Sequence, residues 1–129
     1  MSDRVKRELE RARREIAAAL ALIDAGFPEK AVSSAYYAVF HAAVAALLVL
    51  GETRSKHSGV LSAFGRLVIK EDGFDREVGA VRRRLFERRN DVEYGLEPAS
   101  AEEAATDTDD AERFVTEVER WIESHAAPE

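Results

Sequence analysis

A chain containing AYYAVFHAAVAALLVL, from Ala35 to Leu50, has to enclose that segment. Its apolar residues fall on nearly every face of a helix, so other helices must surround it rather than cover one side. The run is shorter than the roughly 20 residues that span a bilayer. It also carries Tyr36, Tyr37 and His41, whose polar atoms need partners. It reads as the central helix of a bundle.

The flanking sequence supplies the partners. Val5, Leu9, Ala12, Ile16, Leu20 and Ile23 recur every three or four residues with charges between them, which predicts a first helix reaching Gly26. Pro28 suits the first turn of the second helix, where its missing N–H has no partner to lose, and that helix runs to about Gly51. Val60, Leu61, Phe64, Leu67 and Val68 predict a shorter third helix ending before EDGFD. Val78, Val81, Leu85 and Val92 form the stripe of a fourth, from about Asp75 to Tyr94, stopped by Gly95 in the left-handed region. SAEE, Ser100 to Glu103, is a capping box that opens a fifth helix burying Phe114, Val118, Trp121 and Ile122. No segment alternates apolar and polar residues as a strand does. The fold class is all-α, an up-and-down antiparallel bundle of four to five helices in one domain over residues 1–129.

Composition excludes several chemistries. With no cysteine, the chain has no disulfide, thiol nucleophile or zinc-thiolate site, and the charged N-terminus lacks the apolar core of a secretory signal. A cytoplasmic location with no membrane contact is expected. The formal net charge of −6 opposes indiscriminate binding to nucleic acid. That charge is polarised, however. Between Val81 and Arg89 there are five arginines and only Glu87 against them, whereas Glu97 to Glu123 holds ten carboxylates.

The candidate residues divide by their surroundings. Arg82, Arg83 and Arg84 are expected to lay their stems on the bundle and pair their heads with neighbouring carboxylates. Arg88 falls on the stripe of Val81, Leu85 and Val92, and Arg89 aligns with Arg82 and Phe86 one turn before Glu93. A guanidinium at the end of the fourth helix suits paired hydrogen bonds to a phosphate. His41, inside the apolar helix, is expected to be a hydrogen-bonded structural residue. Lys56 and His57 open the third helix, where an anion would be favoured, but a serine N-cap at Ser55 or Ser58 explains the spot without a ligand. His125 stands in a tail expected to be exposed or frayed. No metal site is expected: the chain has no zinc pattern, and TDTDDAE lacks the glycine and terminal glutamate of a calcium loop.

Three stretches, AVSSAYYAVFHAAVAALL at 31–48, SKHSGVLSAFGRLVIK at 55–70 and LFERRNDVEYG at 85–95, together resemble the HEPN domain family and its small stand-alone branch. The resemblance covers nearly the whole chain. It implies a helical bundle that forms a homodimer, acts without cofactor or metal, and is often a ribonuclease or toxin partnered by a nucleotidyltransferase antitoxin. The family's catalytic signature is an arginine, often followed by asparagine, with a histidine four to six residues on. Arg89 and Asn90 fit its opening, but Tyr94 stands where the histidine belongs. RNA cleavage by the 2′-hydroxyl needs a proton mover near neutral pH and a cation for the transition state, and a tyrosine with a reference pKa near 10 is a poor base there.

The resemblance therefore implies a non-catalytic or weakly catalytic module that binds nucleotide, RNA or a partner protein. Its ligand residues would be Arg89, Asn90, Tyr94, Lys56 and His57, with Arg89 and Tyr94 as candidate catalytic groups. A metal-independent endoribonuclease toxin and a docking subunit of a nucleotidyltransferase are the alternatives. Neither His41 nor His57, from this chain or a dimer partner, is expected to stand in for the missing histidine as the proton mover.

Overall fold

The computed structural model describes residues 1–53, 56–95 and 98–125. Five α-helices follow one another: α1 Asp3–Asp24, α2 Pro28–Val49, α3 His57–Ala63, α4 Arg76–Glu93 and α5 Ala101–His125. No strand occurs among the described residues. The all-α bundle is as the hydrophobic periodicity predicts.

α2 is its axis, packed against α1, α5, α4 and α3. Seven of its alanines, among them Ala35, Ala38, Ala42 and Ala46, are fully buried, and such small side chains let neighbouring helices approach closely. As a whole the helix is long and apolar enough to cross a membrane, but here protein surrounds much of it. Tyr36, Phe64, Leu85 and Phe114 are the bulky side chains that fill the space between helices.

The helix ends follow local chemistry. At the end of α1, the Phe27 N–H donates to the Leu22 carbonyl and the Gly26 N–H to that of Ile23, a closure that needs the φ of +90° that Gly26 adopts. Pro28 then starts α2. Gly95 ends α4 at a φ of +70°, as expected. The capping box is made in full: Ser100 Oγ accepts from the Glu103 N–H, and the Glu103 carboxylate accepts from the Ser100 N–H, both at 3.0 Å.

Three expectations need correction. The α1 stripe shifts by one position, because Ala19 is buried where Leu20, half exposed, was expected. The third helix is not uniform: from Phe64 to Lys70 the chain continues as a π-helix, with the Glu71 N–H donating to the Arg66 carbonyl. Ser58 is not a cap. Lys56 holds the N-cap position without a side-chain bond, and Ser55 lies outside the described residues.

His125, expected to be exposed or frayed, is exposed but held in place. It is the last residue of α5, its ring stacked on Trp121 and its Nε2 2.6 Å from Asp72, which also accepts from the Trp121 indole N–H at 2.8 Å. Asp72 thus ties two rings of α5 to the turn before α4.

Candidate functional site

Two tyrosines in a hydrocarbon segment need somewhere to put their hydroxyls, and α4 and α3 meet that need from opposite sides. From α4, Arg89 Nη2 donates to the Tyr37 hydroxyl at 3.1 Å, and its guanidinium carbon lies 5.2 Å from the centroids of both the Tyr36 and Tyr37 rings. Both separations are within the range of cation–π attraction. Glu93, one turn on, accepts from Arg89 Nε at 3.2 Å and from the Ser33 hydroxyl at 3.2 Å. Nη1 has no protein hydrogen bond among the described residues.

From the start of α3 comes His57. Its Nδ1 is 2.7 Å from the Tyr36 hydroxyl, and its ring stacks on Phe40 at 4.2 Å and on Tyr36 at 5.6 Å. Since Nδ1 is engaged, Nε2 is the nitrogen left to meet a ligand. Phe86 of α4 packs on Tyr36 at 5.8 Å and completes the aromatic wall.

The electrostatics suit neutral rings beside one cation. Burial is the main cause that pushes the Tyr36 hydroxyl up to about 12, against the attraction of Arg89. The tyrosine therefore stays protonated. Burial also lowers His57, and the positive charge of Arg89 lowers it further, so its neutral form prevails at pH 7. His41 itself is structural, as expected: its Nδ1 meets the Glu8 carboxylate at 2.8 Å and joins α2 to α1.

The expected site residues separate in the structure. Arg89 and His57 come together through Tyr36 and Tyr37, although nothing in their sequence spacing indicates it. Tyr94 is the C-cap of α4, 76% exposed, with no ring contact or side-chain hydrogen bond among the described residues. Asn90 is half-buried and Lys56 exposed, likewise without a side-chain bond. The residues that sequence reasoning passed over as ligands are Tyr36, Tyr37, Phe40 and Phe86. Their one signal was the tyrosine pair inside an otherwise apolar helix.

The other arginines of the cluster have different tasks. Arg84 and Arg88 grip Asp107, Asp110 and Glu103 of α5, not solvent or their own helix. Arg82 departs further from expectation. It is 7% exposed and makes no ion pair among the described residues, donating instead from Nε to the Leu61 carbonyl at 3.0 Å and from Nη1 to that of Gly79 at 2.8 Å.

Two cavities flank the Arg89 centre. On the α1 side, Tyr37 and Glu93 border an open cavity of about 680 Å³ that also meets Glu15, Glu29 and Lys30. It is acidic and disfavours a polyanion. On the α3 side, Phe86, Arg83, Ser58 and Ser62 border a smaller one of about 250 Å³.

Comparison with known proteins yields a family and relatives. The family model for the HEPN domain matches residues 5–121. A UPF0332 protein of Thermotoga maritima is 40% identical over 94 residues, which is 72% of this chain and 71% of the relative. A candidate toxin of Methanocaldococcus jannaschii is 30% identical over 114 residues, 88% of this chain and 85% of the relative. A second candidate toxin of that organism is 34% identical over 98 residues, covering 73% and 67%.

Proposed function

The chain belongs to the HEPN domain family, and on that premise we propose that it is a toxin-like module whose Arg89 centre binds the phosphates of RNA. The observation that carries this reading is the held guanidinium: Arg89 is fixed by two tyrosine faces and a hydroxyl while Nη1 has no protein partner among the described residues. Its bond to Glu93 is partly exposed, and such pairs contribute under about 1 kcal/mol. A phosphate that engages Nη1 as well as Nε makes two charge-assisted bonds where Glu93 makes one, which favours the exchange. The relatives carrying the name of candidate toxins agree with the toxin-like part.

His57 favours a second reading, slow metal-independent cleavage. A neutral imidazole beside a phosphate-binding arginine is what attack by a 2′-hydroxyl requires. As the 2′-oxygen bonds to phosphorus, its proton passes to His57 Nε2. The 5′-oxygen leaves with its bonding electrons and takes a proton from solvent. Arg89 balances the charge that builds on the phosphoryl oxygens. In this scheme His57 takes the part that the family signature gives to the residue at position 94.

The test is binding and cleavage of labelled single-stranded RNA in EDTA by wild type, Arg89→Ala and His57→Ala, each checked for helical content. Arg89→Ala is expected to weaken binding at least about ten-fold, or 1.4 kcal/mol. Cleavage that His57→Ala removes without loss of binding selects the second reading. Equal affinity of wild type and Arg89→Ala refutes the site.

A further inference from the structure

A third cavity, of about 680 Å³, lies between the π-helical segment and α4. Its lining includes Arg66, Lys70, Arg76, Arg82 and Arg83 and no carboxylate, in a chain whose formal net charge is −6. Five cationic groups gathered at one place on an acidic protein are not the solvated background of its surface.

Arg82 shows that the cavity is built. Its head is locked by the carbonyls of Leu61 and Gly79, and Nη2 has no bond among the described residues. No buried side-chain nitrogen or oxygen among them is both enclosed and without a partner, so Nη2 touches the cavity. Gly65 makes room for it: a Cβ there would stand 2.3 Å from Nη2. The other cations stand free or weakly held. Arg66 reaches Glu71 only at 4.0 Å with both side chains more than half exposed, and Lys70, Arg76 and Arg83 have no ion pair among the described residues.

The cavity does not stand alone. On the 3.6-residue period, Arg76, Ala80, Arg83, Glu87, Asn90 and Tyr94 lie within roughly 40° of one line along α4, over about 27 Å. Glu87 is the single carboxylate on that line. Arg83 borders both the basic cavity and the smaller one beside Phe86. At the far end stands the exposed ring of Tyr94.

We infer that a single RNA strand lies lengthwise on this face of α4, with phosphates on Arg76, Arg83 and the cavity floored by Arg82, and with a base stacked on Tyr94. This rests on the reading of Arg89 as a phosphate site, which lies about 140° round α4 from this line, and adds a second stretch of contact that only a longer strand can reach. The acidic cavity beside α1 closes the opposite approach. An acidic protein surface would also meet the cations and the ring; a strand is the occupant chosen because it offers phosphates at regular intervals to cations spread along one line and a base to Tyr94 at its end.

The experiment titrates a trinucleotide and a twelve-nucleotide single-stranded RNA into wild type, Arg76→Glu/Arg83→Glu, Tyr94→Ala and Arg89→Ala at several salt concentrations. Arg76 and Arg83 are exposed, so the double variant keeps the fold. For the longer RNA it is expected to bind at least about ten-fold more weakly, with a salt slope smaller by about 1.4, or 0.7 for each phosphate left without its arginine. Tyr94→Ala is expected to weaken that RNA about five-fold or more. Trinucleotide affinity is expected to change less than about two-fold in the double variant and to fall only in Arg89→Ala.

Unchanged affinity and slope for the longer RNA in the double variant overturns the track and leaves Arg89 standing, with an acidic protein as the remaining occupant. Equal losses for short and long RNA also overturn it, because they report general charge and not a path. Binding of both RNAs that ignores Arg89→Ala overturns the underlying reading instead.

Discussion

At the scale of single residues, the one whose place the chain order hides most is His57. It is separated from Arg89 by most of α3 and α4, and only the fold brings its ring against the tyrosines that hold the guanidinium. The signature that was legible, Arg89 with Asn90, marks one half of the centre. The expected other half, Tyr94, stands exposed at the helix end. The partners of Arg82 are hidden for a related reason: periodicity identifies the face of a helix but not which opposing carbonyl can accept a second bond, and that of Leu61, which already accepts from the Phe64 N–H, does so. His57 also gives a pH prediction. Its folded pKa lies below its usual value, mainly through burial, so below about pH 6.5 the unfolded chain binds a proton that the folded chain resists. Its contribution to stability is therefore complete above that pH and is lost as pH falls toward the folded pKa. Urea unfolding from pH 7.5 to 5 is expected to show that decline in wild type and a shallower one in His57→Gln.

At the scale of elements, the sequence shows the opposite charges of α4 and α5 but not that they face each other. Periodicity located both helices and the capping box of α5, because those depend on local spacing; the pairing depends on how α2 sets the two side by side. Asp107 is fully buried, with one oxygen on Arg84 at 2.7 Å and the other on Arg88 at 2.9 Å, so much of the polarised charge is neutralised inside the bundle. Burial opposes the charge on Arg88, but Asp107 and Glu103 outweigh it and raise its pKa. Removing one member of a buried pair leaves charge without compensation and costs more than an exposed bridge is worth. Asp107→Ala is expected to lower unfolding free energy by about 2–4 kcal/mol, with the two arginines partly rescued by solvent. Glu117→Ala, which breaks an exposed bridge to Arg120, is expected to cost under about 0.5 kcal/mol. Denaturant midpoints of the two variants check this difference.

At the scale of the whole molecule, the bundle was legible because one segment had to be surrounded and the remaining stripes could do it. Which end of the bundle gathers Arg89, His57 and the tyrosines was not, since it depends on three helices meeting at Tyr36 and Tyr37. The molecule has an acidic cavity bordered by Glu15, Glu29 and Glu93 and a basic one between the π-helical segment and α4. The three histidines report separately on this arrangement: His41 on Glu8, His125 on Trp121 and Asp72, and His57 in the centre. The most direct measurement is therefore a nitrogen-15 NMR titration of the histidine rings with single-stranded RNA, in wild type and Arg89→Ala. The expected result is that the His57 ring nitrogens shift on addition of RNA to wild type, while those of His125 stay in place and Arg89→Ala shows no shift at equal RNA concentration. RNA binding that leaves His57 unmoved, or an equal shift in Arg89→Ala, would contradict a phosphate site at this arginine.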